Sequence, residues 1–199
     1  MKNAGKILAF CITLLVVGCM EDTDESIILP IINERIPGHV VSEEMLDTLR
    51  QYIPVYEGST PPNIGGGYFV SPFSLLYASD GYEGDFHDLQ WYVAPLDVWN
   101  QTRYSESQST AEGTGTEAYV IGSGNRFTLF TIDEVVNDPA GWRCRMLTLI
   151  SGEKSDNGIG NLRYAILMLD KRDEHEVLIA PDSYRIFADG DGFSPRISK

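Results

Sequence analysis

Most of the chain after residue 54 consists of short apolar and aromatic runs of the length of β-strands. The clearest alternation lies in residues 142–151, where one predicted face carries Trp142, Cys144, Met146, Thr148 and Ile150. Turn-forming Gly, Asp, Asn and Ser clusters separate these runs. The pattern predicts about eight strands, within residues 68–78, 86–93, 117–121, 126–132, 142–151, 162–170, 176–180 and 183–188.

Residues 42–52 are the one segment with a helical period. Ser42 is a suitable N-cap, acidic residues follow it in the first turn, and Pro54 ends the segment. The apolar positions form one stripe: Met45, Leu46, Leu49, Tyr52 and Ile53. An amphipathic helix must bury such a stripe, and we expect this one to plug or cover one end of a sheet structure.

The predicted strands follow one another with short turns and no helices between them, which favours antiparallel pairing. Residues 100–115 are polar and rich in Ser, Thr and Gly, and are interpreted as a loop. The fold prediction is an all-β domain, an antiparallel up-and-down barrel of about eight strands with one N-terminal helix. A β-sandwich is the alternative.

The first 18 residues have the organisation of a secretion signal. Lys2 and Lys6 precede the apolar run Ile7–Val17, which is shorter than the roughly 20 residues that span a bilayer. The sequence Val16-Val17-Gly18-Cys19 resembles a lipobox, so Cys19 is predicted to carry the lipid (diacylglyceryl and palmitate-type chains) of a lipoprotein. Such an anchor holds a domain without a membrane span.

This interpretation divides the chain into a signal peptide (1–18), a lipidated tether (19–41) and a single helix-plus-barrel domain (42–199). Position 20 is Met rather than Asp, which favours the outer membrane over inner-membrane retention. The acidic residues that follow resemble the surface-export signal of Bacteroidetes lipoproteins: Glu21, Asp22, Asp24 and Glu25. We therefore predict an outer-membrane lipoprotein exposed at the cell surface.

The charge of the chain limits the classes of partner that it can bind. The signal peptide takes two of the 15 basic residues and none of the 29 acidic ones, leaving 13 against 29 and a formal charge near −16. This balance argues against a nucleic-acid partner. With Cys19 lipidated, only Cys144 remains in the mature chain, so a disulfide framework is not expected; Cys144 is interpreted as a buried, inert thiol.

Two resemblances bear on the fold. The segments 53–68, 156–158, 164–170 and 185–192 resemble a family of uncharacterised Bacteroidetes lipoproteins, which implies a domain covering most of residues 40–195 but no activity. Gly66-Gly67-Tyr68 also resembles the opening of the first strand in calycins, the lipocalins and their relatives. That resemblance implies a basic residue packed across Tyr68 from the last strand, and Arg185 is the expected partner.

Aromatic residues are the main candidates for ligand contact. Phe86, Trp91, Tyr92, Trp99 and Tyr104 cluster along the second predicted strand and the polar segment after it. Rigid aromatic rings with a polar atom suit sugar faces and apolar ligands, although most such rings fill cores. The predicted ligand contacts are Trp91, Trp99 and Tyr104.

Catalytic and metal motifs are weak. Asp189-Gly-Asp-Gly192 resembles the start of a calcium loop but lacks the downstream Glu, and is interpreted as a turn. The histidines have no zinc-ligand spacing, and no cofactor is expected. Gly113–Ala118 imitates a dinucleotide fingerprint but precedes a strand, so that interpretation is rejected.

The leading functional hypothesis is therefore a non-enzymatic binding module for a small ligand or glycan at the barrel mouth. The second is a structural or accessory envelope protein that docks onto another protein through an exposed apolar patch. The third is a glycoside hydrolase, which requires two carboxylates facing one pocket.

Overall fold

A computed structural model describes residues 43–198, apart from the side chains of Glu43, Thr116 and Glu117. The predicted signal peptide, Cys19 and the tether lie outside the described residues. The elements, in chain order, are α1 (Glu43–Arg50), β1 (Ser59–Thr60), β2 (Gly66–Val70), β3 (Phe73–Ala78), β4 (Leu89–Val93), β5 (Gln101–Gln108), β6 (Ala111–Ser123), β7 (Arg126–Asn137), a 3₁₀ turn (Asp138–Ala140), β8 (Trp142–Lys154), β9 (Gly158–Arg172), β10 (Tyr184–Asp189) and β11 (Phe193–Ile197). The all-β class with one short helix is confirmed over these residues.

The strand pairings close into a ring. Neighbours run in the order β11-β2-β4-β5-β6-β7-β8-β9, and β11 pairs with the start of β9. Further along, β9 pairs with β10, and β10 with β3. The closed ring therefore contains eight strands. Strand β3 follows β2 after only Ser71-Pro72, and β10 precedes β11 by one turn, so these two strands extend the sheet beyond the ring.

All pairings are antiparallel except one, in which the short strand β1 runs parallel to β6. The expectation of a wholly antiparallel sheet is therefore wrong for this two-residue strand. Its pairing is local: the Gly122 amide donates a hydrogen bond to the carbonyl of Gly58 at 2.9 Å.

The interpretation of residues 100–115 as a loop is wrong. They form most of the β5–β6 hairpin, which pairs from Gln101 with Tyr119 to Gln108 with Ala111. Ser, Thr and Gln are polar, yet the pairing of the two strands satisfies their backbone groups. Other differences are smaller: the second predicted strand begins only at Leu89, and residues 176–180 lie outside the strands.

The interior is defined by one cluster that draws residues from all around the ring. Its members include Tyr68, Phe73, Trp91, Tyr104, Val120, Leu129, Ile150, Tyr164 and Phe187. The predicted alternation of β8 is confirmed, because Cys144, Met146 and Ile150 join interior clusters whereas Leu147 and Leu149 join a different one. Burial of these apolar faces is the main stabilising contribution to the fold.

Helix α1 packs on the outside of the ring. Leu46, Leu49 and Ile53 are fully buried against outward-facing residues of β6 to β10, among them Phe130 and Leu149. The predicted apolar stripe is thus confirmed, but its predicted position at one end of the sheet is wrong. The physical reason is that the outer face of β6 to β10 is itself apolar and requires a cover.

Candidate ligand-binding cavity

One end of the ring opens into a cavity of about 680 Å³. Interior positions along β7 and β8 explain its place: Leu129 and Ile150 belong to the packed cluster, whereas Val135 and Met146 lie further along the strands in a separate, smaller cluster. Apolar and aromatic side chains form most of the wall, namely Phe73, Phe86, Leu89, Val135, Trp142, Met146, Ile166, Met168, Ile179 and Phe187.

Glu106 lines this cavity and is held by two tyrosines. The hydroxyls of Tyr104 and Tyr164 each donate a hydrogen bond to its Oε2 at 2.5 Å. Burial raises the pKa of Glu106, and the two hydroxyl donors oppose that rise. Burial, followed by the charge of Glu106, raises the pKa of both tyrosines well above its ordinary value, so they remain donors.

Asp133 is a second carboxyl group in the same interior. It is 0% exposed, and neither of its oxygens has a hydrogen-bond partner among the described residues. Burial and then the negative charge of Glu106 raise the pKa of Asp133 well above its ordinary value. The buried hydroxyls of Thr131 and Thr148 lie beside Asp133 and oppose that rise, although no hydrogen bond of ordinary geometry joins them to its oxygens. A polar layer therefore lies between the two apolar clusters.

Two glycines of β6 make room for these acids. A Cβ at Gly113 would lie 2.7 Å from Cγ of Glu106, and one at Gly115 would lie 2.5 Å from Oδ1 of Asp133 and collide with the Thr131 hydroxyl. Gly113 is also the cross-strand partner of Glu106. The glycines that imitate a dinucleotide fingerprint in the sequence thus stand beside the two carboxyl groups.

The cavity wall has little positive charge. Arg185 is the one Lys or Arg among the described lining residues, and its Nη2 lies 2.6 Å from Oδ2 of Asp80. The guanidinium also lies over the Tyr82 ring, 4.4 Å from its centroid. Hydrogen bonding to Arg185 lowers the pKa of Asp80, which keeps this pair ionised. Arg185 is therefore committed to Asp80.

Cys144 also lines the cavity and is buried. Burial, followed by the charge of Glu106, raises the pKa of its thiol to about 12. A thiol with so high a pKa carries almost no thiolate at neutral pH, so it is a poor nucleophile. The sequence-based interpretation of Cys144 as a buried, inert thiol agrees with this environment.

Comparison of the chain with known protein families, with curated protein sequences and with solved structures gives no match. The cavity must therefore be interpreted from its own geometry and chemistry.

The three aromatic residues predicted to contact a ligand do not share one site. Trp91 is fully buried in the packed interior, where its ring centroid lies 4.6 Å from that of Tyr68. Trp99 is 70% exposed in the turn between β4 and β5. Tyr104 is buried, and its hydroxyl reaches the cavity acid Glu106. Of the three, Tyr104 alone contacts a described cavity residue by a hydrogen bond.

The basic residue that packs across Tyr68 is Arg196 and not Arg185. The Arg196 guanidinium carbon lies 5.7 Å from the Tyr68 ring centroid, and Nη2 donates to the Gly65 carbonyl at 3.0 Å. Arg196 lies on β11, which is the strand that pairs with β2. The assignment of Arg185 is wrong because β10 lies next to β3 and its guanidinium turns to Asp80.

The Asp189–Gly192 segment is the turn between β10 and β11. Asp189 accepts a hydrogen bond from the Ser194 hydroxyl at 2.5 Å, and Asp191 accepts one from the Phe193 amide at 2.9 Å. In residues 43–198 no group of three His, Cys, Asp or Glu side chains is arranged to hold a metal ion. Within the same range no helix is long and apolar enough to cross a membrane.

Sequence reasoning missed Glu106, Asp133 and Tyr164. Glu106 lay in the segment interpreted as a loop, so its two-residue spacing from Tyr104 was not taken as a sign of a strand. The usable signal was Thr131-x-Asp133, a polar pair on the otherwise apolar inner face of β7. A buried carboxyl group on an apolar face is costly, and such groups are concentrated at functional sites.

Proposed function

We propose that this chain is a non-enzymatic binding module, which captures a small ligand or glycan in the cavity at the open end of the ring. The observation that carries the proposal is the cavity of about 680 Å³, with apolar walls and a polar floor at Glu106. Concave, mostly apolar sites with a few convergent polar groups are typical of small-molecule binding.

We further propose that the ring is a lipocalin-like up-and-down barrel. The strands β4 to β9 are sequential antiparallel neighbours, as that topology requires. The contact between Arg196 and Tyr68 supports the calycin resemblance. A sandwich would leave the two sheets unpaired at their edges, whereas β11 here bonds to both β2 and β9.

The proposed setting is the outer membrane of a Bacteroidetes-type cell, with lipid on Cys19 and the domain facing outward on its tether. The apolar run Ile7–Val17 and the following Gly18-Cys19 support it. A Cys19→Ser variant is expected to leave the membrane fraction and to lose incorporation of labelled palmitate.

Cavity binding is tested with the neutral fluorophore N-phenyl-1-naphthylamine. The change is Ala111→Phe, because Ala111 lines the cavity and packs against its apolar cluster. The matched control is Glu112→Phe, since its neighbour Glu112 is exposed on the opposite face of β6. We expect saturable fluorescence enhancement in the parent chain and the control, and a loss of about tenfold or more in affinity with Ala111→Phe.

Circular dichroism and thermal melting establish that both variants fold. If the parent chain does not bind the probe, or if both variants bind it equally, the cavity is not a ligand site.

A second candidate is the hydrolase, because Glu106 and Asp133 share one interior. It is less well supported, since a catalytic carboxyl group must reach its substrate and the Asp133 oxygens are sealed from the cavity. The docking hypothesis finds its best support in Val98 and Trp99, which are adjacent and are the most exposed of the described large hydrophobic side chains. Two adjacent side chains are a small patch compared with a stable interface.

A further inference from the structure

We infer that the ligand of this cavity is a small organic cation, an ammonium group on an aromatic or aliphatic body, with its nitrogen placed against the Glu106 carboxylate. This inference rests on the proposed function, since it assigns a ligand class to the same cavity. Four observations lead to it.

The first is an acid without a counter-ion. The two tyrosine hydroxyls on Glu106 are neutral donors, so they stabilise its charge but do not cancel it. An ionised carboxylate in an apolar setting is stable when a cation pairs with it. Arg185, the one Lys or Arg on the described wall, is already paired with Asp80. A positively charged ligand would complete the site.

The second is Asp133, a further acid in the same interior. It is fully buried, the Thr131 and Thr148 hydroxyls lie beside it, and that burial, followed by the charge of Glu106, raises its pKa. Of the two carboxyl groups, Glu106 is the one that lines the cavity and accepts the two tyrosine hydrogen bonds, so it is the group that a ligand can reach.

The third is the wall around the acid. Phe73, Tyr164 and Phe187 pack edge to face or stacked, with centroids 4.3 to 6.1 Å apart, and all three line the cavity. Aromatic faces attract cations and accept apolar bodies. This wall suits an amine with a hydrocarbon body better than a fully hydrated ion.

The fourth is the rest of the titratable lining. Besides Glu106, the titratable groups that line the cavity are those of the Asp80–Arg185 pair, Tyr82, His87, Cys144, Tyr164 and Glu176. His87 and Glu176 are exposed at the surface, and the thiol of Cys144 is protonated at neutral pH. The described lining is therefore negative overall, which disfavours phosphate and carboxylate ligands.

The test compares three probes of similar shape and different charge: 2-phenylethylamine, 2-phenylethanol and 3-phenylpropanoate. Each displaces N-phenyl-1-naphthylamine from the full chain carrying Cys19→Ser, at pH 7.5. We expect the amine to bind about tenfold or more tightly than the alcohol, and the carboxylate to bind weakest. In Glu106→Gln the amine should lose that advantage while the affinity for the alcohol stays unchanged.

The control variant is Glu176→Gln, a lining carboxylate at the exposed rim, which should change the amine affinity by less than about threefold. The ratio of amine to alcohol in the parent chain needs no variant, so the test holds even if Glu106→Gln does not fold. Equal displacement by amine and alcohol overturns the cation inference and leaves the cavity proposal intact. No binding of the fluorophore by the parent chain removes the proposed function itself.

Discussion

The two ends of the ring interior are built from the same strands but filled differently. At one end Tyr68, Trp91 and Phe127 are fully buried and pack against one another and their neighbours. At the other end the inward positions of β7 and β8 continue with Val135, Cys144 and Met146, which face an open cavity.

Both ends carry aromatic rings, but those of the packed end meet across the interior and fill it, as close packing in proteins requires, whereas those of the open end line a cavity. Between the ends, Gly113 and Gly115 leave space that Glu106 and Asp133 occupy. A chain selected for stability alone would fill that space with apolar side chains, since buried acids without a cation destabilise the folded state. The contrast favours a function at the open end.

The largest expected effect is the loss of stability when a core side chain is truncated, and it should be greater at the packed end than at the open end. Trp91→Ala is expected to lower the free energy of unfolding by about 3–5 kcal/mol, because it leaves a large void in a packed region. Met146→Ala should cost about 2 kcal/mol, since its side chain already borders open space. Urea denaturation followed by circular dichroism measures both, and equal losses would contradict the difference between the ends.

Adding one methyl group beside the acids should have an intermediate effect. Gly115→Ala is expected to destabilise the fold by about 1–3 kcal/mol, because the new Cβ meets Asp133 and Thr131. The control is Gly160→Ala, whose Cβ would meet only the Glu153 carbonyl oxygen, at 3.9 Å. Thermal melting of both variants measures the difference in their stability. A Gly115→Ala protein as stable as the control would mean that the acids do not depend on this gap.

Removing the buried acid should change the pH dependence of stability. Burial raises the folded-state pKa of Asp133 above its unfolded value near 3.8. The contribution of this group to the free energy of unfolding is therefore fully present below about pH 3.8, and it is lost as the pH rises towards the folded-state pKa. Asp133→Asn should therefore flatten the decline above pH 4, by up to about 1.4 kcal/mol per pH unit.

Asp189→Asn serves as the comparison, because burial raises the pKa of Asp189 only to about 6. Its effect should be confined to the window between about pH 4 and pH 6. Chemical denaturation from pH 4 to pH 8 separates the two variants. If Asp133→Asn follows the parent profile throughout, Asp133 does not carry the buried proton that we assign to it.

Local patterns predicted the elements whose burial is one-sided and apolar. The stripe of α1 and the alternation of β8 both bury apolar residues at the period of their own structure. The hairpin of β5 and β6 was not predicted, because its inward residues include Glu106 and two glycines where an apolar residue would be expected. The polar residue and the two glycines at this position thus obscured the strand signal.

Successive short turns favoured a barrel, but the particular pairings that close the ring could not be predicted from local patterns. Closure depends on β11 pairing with β2 and β9, and on the Tyr68 partner being Arg196. Such pairings are set by the whole sheet, and short patterns such as Gly66-Gly67-Tyr68 leave several basic residues as candidates. The pair of acids could not be predicted either, since Glu106 and Asp133 are far apart in sequence. They share one interior only because β5, β6 and β7 are neighbours in the sheet.

The most direct test of the account is a crystal structure of the chain grown with 2-phenylethylamine. We predict the ammonium nitrogen at hydrogen-bond distance, about 2.7–3.2 Å, from the Glu106 carboxylate, with the phenyl ring among Phe73 and Phe187. A cavity filled by the protein's own side chains, or an amine bound away from Glu106, would contradict it.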